Sequence, residues 1–221
     1  MYTMNTIIIL IFVLVIVSVY FIVQYKSNFE KRLVYHTPRL LSPERQEYIK
    51  GAERYIKKAS VVIGLFVSFP LMVVCAFLLA DVGIPIIFLL LIFLIAIECL
   101  AIYLLYRILK RNIKNQQALL EQMSDSDFEL LLKIRDNFSF PYKYDPPFVL
   151  CNNHLYIFLF HTIKEIDPTQ IISVKWHSTK YGFLVRIKDP KAKITVFNIS
   201  KSALPLFLQI VGQYTELKFN Y

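Results

Sequence analysis

Residues 60–107 read SVVIGLFVSFPLMVVCAFLLADVGIPIIFLLLIFLIAIECLAIYLLYR. Two long apolar runs flank the link Asp81-Val82-Gly83-Ile84-Pro85, where glycine and proline punctuate the chain. An apolar helix of about 20 residues matches a bilayer core of ~30 Å. The stretch therefore predicts a transmembrane helical hairpin, with residues 60–80 and 84–106 as antiparallel neighbours. Pro70 removes a backbone donor mid-run and predicts a kink. Gly64 and Ser68, four apart, form a small-xxx-small pair that allows close helix packing.

Working outward, residues 6–23 form another apolar run, broken by Ser18 and Tyr20. The preceding segment MYTMNT has no Lys or Arg and no small-residue cleavage site follows, so an uncleaved first span is preferred to a signal peptide. The chain is 221 residues long, 56% hydrophobic, with a formal net charge of +9. Residues 26–59 carry nine Lys/Arg against four Asp/Glu, and residues 108–221 carry fifteen against ten. Basic segments beside apolar spans stay in the cytoplasm. The expected topology is an outside N-terminus, an outside hairpin tip and a cytosolic C-terminal domain, in a multi-pass bacterial inner-membrane protein.

Five segments follow: residues 1–25 as a first span, 26–59 as a basic amphipathic segment, 60–107 as the hairpin, 108–136 as a helical connector, and 137–221 as a cytosolic domain. In the second, Ser42 can cap a helix with Pro43 at its first position. Tyr48, Ala52, Tyr55 and Ile56 share a face. Arg45, Lys50, Arg54, Lys57 and Lys58, with Arg107, Lys110 and Arg111 beyond the hairpin, suit either an anionic leaflet or a solvated connector. Glu98 is the ionisable residue inside an apolar run, which makes it a candidate functional group. Its roles would be proton relay, cation coordination or partner to a base. The plainer reading is a neutral carboxyl hydrogen-bonded to Ser60, Ser68 or Tyr103.

In the connector, MSDSDFELLLKIRD offers Ser124 or Asp125 as a cap, acidic residues in the first turn, and Lys133 and Arg135 in the last. Beyond residue 137, short segments rich in Ile, Val, Phe and Tyr alternate with turns such as Asn152-Asn153, Asp167-Pro168-Thr169, Thr179-Lys180 and Asp189-Pro190-Lys191. Arg186-Ile187-Lys188 and Lys193-Ile194-Thr195-Val196-Phe197 alternate polar with apolar, as half-buried strands do. Close spacing of strands predicts an antiparallel sheet. A final amphipathic helix, SKSALPLFLQIVGQYTEL, is capped by Ser200 or Ser202 and carries Leu204, Phe207, Leu208 and Val211 on one stripe.

The run LCNNHLYIFLFHTIKEIDPTQIISVKWHSTKYGFLVRIKDPKAKITVFNIS resembles the bacterial PH-like (pleckstrin-homology-type) domains of small membrane proteins, over residues 145–215. It shares their strand-ending phrase, as at Lys164-Glu165-Ile166, and their following strand, as at Ile171-Ile172-Ser173-Val174. The resemblance implies an antiparallel β PH-like barrel with a C-terminal helix, and no chemistry. Phosphoinositide binding does not carry over, because the first hairpin has no Lys-x-x-Arg cluster. The fold class expected is thus an α+β membrane protein: three transmembrane helices followed by this domain.

No phosphate-binding glycine loop, GxSxG, HExxH or paired-carboxylate arrangement is present. Cys75, Cys99 and Cys151 lack metal or disulfide spacing. His36, His154, His161 and His177 read as strand or loop residues, with a His161–His177 metal pair the less favoured alternative. Trp176 reads as core or sheet edge. No cofactor, metal or catalytic residue is assigned. The expected partners are the lipid bilayer and a protein partner or second copy, and no nucleic acid. The expected function is non-enzymatic: a membrane protein presenting a PH-like module for protein or membrane-surface interaction. The alternatives are a membrane immunity or accessory protein acting through its helices, and a transport or enzyme subunit using Glu98.

Overall fold

A computed structural model describes residues 24, 26–33, 35, 37–78, 84–138, 143–159 and 162–217. Within α2 and α3 below, side chains are described for residues 43–66, 69, 73, 95, 98–100 and 102–120. Helix α1 spans Asn28–Leu33, α2 Pro43–Leu78, α3 Ile84–Leu120 and α4 Asp125–Asp136. Strands β1 (Phe148–Cys151), β2 (His154–Leu159) and β3 (Thr162–Ile166) come next, then β4 (Ser173–Thr179), β5 (Gly182–Lys188) and β6 (Ile194–Ile199). Helix α5 is Leu204–Tyr214. The chain divides into two compact units. The β unit takes Met1–Pro38, Gln122–Phe138 and Pro146–Tyr221; the helical unit takes Arg39–Glu121 and Ser139–Asp145.

The helical unit is built on α2 and α3. The contacts Arg45 to Leu120, Tyr48 to Gln116 and Gly64 to Ile102 run in opposite chain directions, so the helices are antiparallel. Tyr48, Ala52 and Ile56 are buried, as their shared face predicts. Ile108, Ile113 and Leu119 of α3 are buried too. Gly64 lies where a Cβ would run into the Ile102 side chain, so the glycine permits close approach of the helices at that level. Pro85 falls in the first turn of α3, where a missing N–H costs no intrahelical bond.

The expected membrane architecture is corrected here. Among the described residues no helix is long and apolar enough to cross a membrane. The segment 42–59 and the run from 60 are one continuous helix, and so are the run from 84 and the basic residues to 120. Each helix thus joins an apolar stretch to a charged, packed one with no break between them. Three transmembrane helices, an inner-membrane location and the outside-to-inside topology are therefore not supported. The first apolar run (6–23) and residues 79–83, which take in most of the hairpin link, lie outside the described residues, as do the side chains of Ser68, Pro70 and Cys75.

The β unit holds two three-stranded antiparallel sheets, in the orders β1-β2-β3 and β4-β5-β6. Asn152 and Asn153 both take positive φ (49° and 63°) in the two-residue turn between β1 and β2, the geometry of a type I′ hairpin. Asp167 takes the Thr169 amide on its side chain and starts the short 3₁₀ turn Pro168–Gln170 between the sheets. The inner faces of both sheets and α5 close one apolar core, which includes Ile157, Ile166, Val185, Ile187, Phe197 and Leu208. Phe207 of α5 lies at its centre, with ring centroids 5.3 Å from Phe148 and 5.4 Å from Phe197. One side chain thus joins the helix to a strand of each sheet.

Helix α4 contributes Ile134 to this core and buries Phe128 and Leu131. Its N-cap is Ser124, whose side chain accepts the Asp127 amide at 3.1 Å, and acidic and basic residues sit at the ends the helix dipole favours. Helix α5 begins later than expected. Ala203 is its cap, Ser200 accepts the Ala203 amide, and the Ser202 hydroxyl donates to Asn137 O. The stripe Leu204, Phe207, Leu208 and Val211 is buried. Helix α1 covers part of the first sheet: the Phe29 ring packs on Tyr156 at 5.2 Å, and Arg32 pairs with Glu165.

Candidate interaction surface

The residues singled out from sequence all fall in the helical unit, and they do not converge. Glu98 is half-buried and has no hydrogen-bond or ion-pair partner among the described residues. Ser60 is buried and donates to Ile56 O at 2.8 Å, while Tyr103 is 56% exposed, so neither satisfies Glu98. Arg45 donates to Leu120 O at 2.6 Å, bracing the open end of the hairpin. Arg54 donates to Lys50 O, and Lys110 lies over the Tyr106 ring at 5.8 Å. Lys50, Lys57, Lys58 and Arg107 are exposed, and Arg111 is half-buried. The basic residues therefore dress two long helices rather than build one site.

The same unit buries a polar group that sequence reading missed. Gln116 is 1% exposed; it accepts from the Tyr48 hydroxyl at 3.2 Å and donates to Tyr144 O at 3.2 Å. Asn112 donates to Asp145 Oδ1 at 3.3 Å. Burial raises the Asp145 carboxyl above the usual carboxylate range, against the opposing pull of the Asn112 bond. Each of these groups is satisfied by its neighbours, as buried polar groups must be, so the cluster reads as structural.

The grooves of the β unit are similarly occupied by their own bonds. A cavity of about 580 Å³ is bordered by Asp127, Lys133, Asn152, Asn153 and Tyr214. Asp127 accepts the Asn152 amide at 3.1 Å and Tyr214 donates to Asn153 Oδ1 at 2.7 Å. Near α1, Glu165 accepts from the Tyr156 hydroxyl at 3.2 Å, and burial together with that carboxylate pushes the phenol well above its ordinary pKa. Among the described residues no group of His, Cys, Asp and Glu could hold a metal ion. His36 and His161 lie outside the described residues; His154 and His177 are exposed strand residues.

The second sheet presents an arrangement of a different kind. Both of its outer strands, β4 and β6, pair with β5 alone among the described residues. In the first sheet β1 has α4 beside it and β3 has α1. In the second, β4 pairs with β5 alone among the described residues, and Lys175, His177, Ser178 and Thr179 along it are exposed. Trp176 points to the other face and packs against the core.

The outer face of this sheet forms a regular grid. Ser173, Lys188 and Ile194 stand side by side across the three strands; then Lys175, Arg186 and Val196; then His177, Leu184 and Asn198. Sequence alternation makes β6 a half-buried strand without fixing which phase faces the core. Thr195 is 3% exposed, while Ile194 is 54% and Val196 38% exposed. The reason is parity, since Phe197 and Ile199 are core residues and period two binds Thr195 to their side. The buried Thr195 hydroxyl is satisfied by the Lys164 ammonium. The signal in the sequence was the pair Phe197 and Ile199, whose greater bulk outweighs that of Ile194 and Val196.

No protein-family model, curated protein or solved structure matches this chain.

Proposed function

We propose that the β unit is a non-enzymatic, PH-like interaction module that receives an extended segment of a protein partner along the free edge of β4. Support for the PH-like reading is the order of elements: two three-stranded antiparallel sheets closed by a C-terminal amphipathic helix. The observation that carries the binding mode is the β4 edge itself. Among the described residues no strand pairs with the outer edge of β4, and a strand edge open in this way is a template for strand addition. The sheet behind it is pinned by Phe197 and Val185 in the core, so a partner strand would meet a rigid surface.

The test uses the full chain and a library of random peptides, with bound peptides mapped by amide chemical shifts. Successive amides of a strand point to opposite edges. Of the exposed pair His177→Pro and Ser178→Pro, one therefore removes a ladder bond to β5 and the other blocks only the free edge. The reading predicts that the variant with an unchanged melting temperature loses peptide binding, and that shifts concentrate on β4 and β5. Peptides that bind the blocked variant equally well, or that map to other elements, would sink it.

A further inference from the structure

We infer that the outer face of β4-β5-β6 selects an acidic extended polypeptide, one with a carboxylate at every second residue. This rests on the strand-addition reading above and names its partner chemistry.

The three strands read SVKWHST, GFLVRIK and ITVFNI, with no Asp or Glu among them. Lys175 and Arg186 are direct cross-strand partners on the outer face. Lys188 stands on the same face two residues along from Arg186. All three are exposed and none has an ion-pair or hydrogen-bond partner among the described residues. Like charges placed opposite each other in a ladder destabilise it. A sheet assembled for stability alone would set a carboxylate in one of these places. The cluster is therefore a cost borne in the free chain and relieved by a bound anion.

Position decides which anion. The cations occupy the β4 and β5 columns of the grid, and the aliphatic residues Ile194 and Val196 occupy the β6 column. An extended chain repeats its side chains on one face every ~6.6 Å, the spacing of successive grid rows. An added strand beside β4 would set alternate carboxylates against Ser173 and Lys175, with Lys188 and Arg186 one strand further along the same two rows. A nucleic acid would want several stacked aromatic rings, and the grid holds only the His177 imidazole; the neighbouring exposed ring, Tyr181, sits in the β4–β5 turn with the Lys180 ammonium 5.3 Å from its centroid.

The experiment uses the full chain and a fluorescein-labelled, end-blocked peptide alternating Glu with Val, read by anisotropy. Its control alternates Gln with Val. The Glu peptide is expected to bind about tenfold or more tightly than the control, since three exposed pairs each contribute a few-fold. The advantage should fade as salt shortens the screening length. Lys175→Glu with Arg186→Glu should erase it without affecting the control. Lys175→Glu alone should weaken Glu-peptide binding while leaving the melting temperature unchanged or higher, because it replaces a like-charge pair with an opposite one. Equal binding of the two peptides overturns the acidic preference but leaves strand addition standing. Glu-peptide binding that survives both His177→Pro and Ser178→Pro keeps the acidic preference and removes strand addition. Displacement of the Glu peptide by a single-stranded oligothymidylate that binds more tightly overturns the choice of a polypeptide.

Discussion

Replacing Phe207 with Ala tests whether one ring joins the two sheets through α5. Phe207 is fully buried and stacks edgewise on Phe148 of β1 and Phe197 of β6 at 5.3 and 5.4 Å. Deleting a buried Phe side chain to Ala costs about 3–5 kcal/mol, the spread reflecting how far the site collapses. Collapse is restricted here, because the cavity wall is made by both sheets and the helix. Each ring pair also contributes roughly 0.5–1.5 kcal/mol beyond its buried area. The expected loss therefore lies near the top of the range, at about 4–5 kcal/mol. That is about a quarter or more of the ~5–15 kcal/mol typical of a whole domain. Phe207→Leu keeps most of the volume and loses the ring pairs, so about 1–2 kcal/mol is expected. The assay is urea unfolding followed by tryptophan fluorescence. Trp176, the single tryptophan, lies in the β unit and packs on this core, so the signal reports the unit in question. A Phe207→Ala loss below about 2 kcal/mol with an unchanged urea slope would refute the keystone role.

Three further outcomes are expected. Ser124→Ala removes the N-cap of α4 and should cost about 1 kcal/mol in the same urea assay; a change near zero would mean the cap bond is replaced by water. Gly182→Ala drives a Cβ into the Ile199 carbonyl oxygen, a backbone atom that cannot rotate away, and should cost about 1–3 kcal/mol; a neutral result would show that β5 and β6 shift freely at that end. Asp145 has its folded-state pKa raised by burial, so the folded chain keeps a proton that the unfolded chain has lost. Its ionisation thus lowers stability as pH rises through and above the ordinary carboxylate value of about 4. Asp145→Asn keeps the oxygen that Asn112 bonds and removes the charge. Its melting temperature should gain on the parent's as pH rises above about 4, and parallel curves would contradict the assignment.

Much of the β unit was legible locally. Ser124 ahead of DSDFE marked a helix start, Asn152-Asn153 marked a hairpin, and the apolar stripe of α5 was visible at helical spacing. These signals are short-range, and each has one dominant physical cause. The apolar runs were misleading because hydropathy over a window is blind to what continues the helix. Residues 43–59 and 107–120 extend the same helices into charged and packed segments, and no turn residue marks a junction at Ser60 or Arg107. The surface proposed for partner binding was invisible for a different reason. The opposition of Lys175 to Arg186 depends on ladder register, and a one-residue slip would have separated them. The outward facing of Ile194 and Val196 was not fixed by alternation, which has two phases; only the demand of Phe197 and Ile199 for the core selects between them. Gln116 was missed because a buried amide looks, in sequence, like any surface residue of a helix.

The Arg39 amide donates to Glu121 Oε2 at 3.1 Å, which clasps the two ends of the helical unit across 82 residues. That clasp bears on the order of folding. Arg32 must find Glu165 across 133 residues of chain. If the helical hairpin closes first, the clasp takes 82 of those out of the search and leaves about 51. Loop-closure entropy grows as the logarithm of length, so the shortcut lowers the cost of bringing α1 onto its sheet by about 0.8 kcal/mol. Antiparallel helices joined locally form fast, whereas six strands must pair in register. The hairpin thus serves assembly as well as architecture: it draws the two separated pieces of the β unit's chain within reach before that unit has a core to hold them.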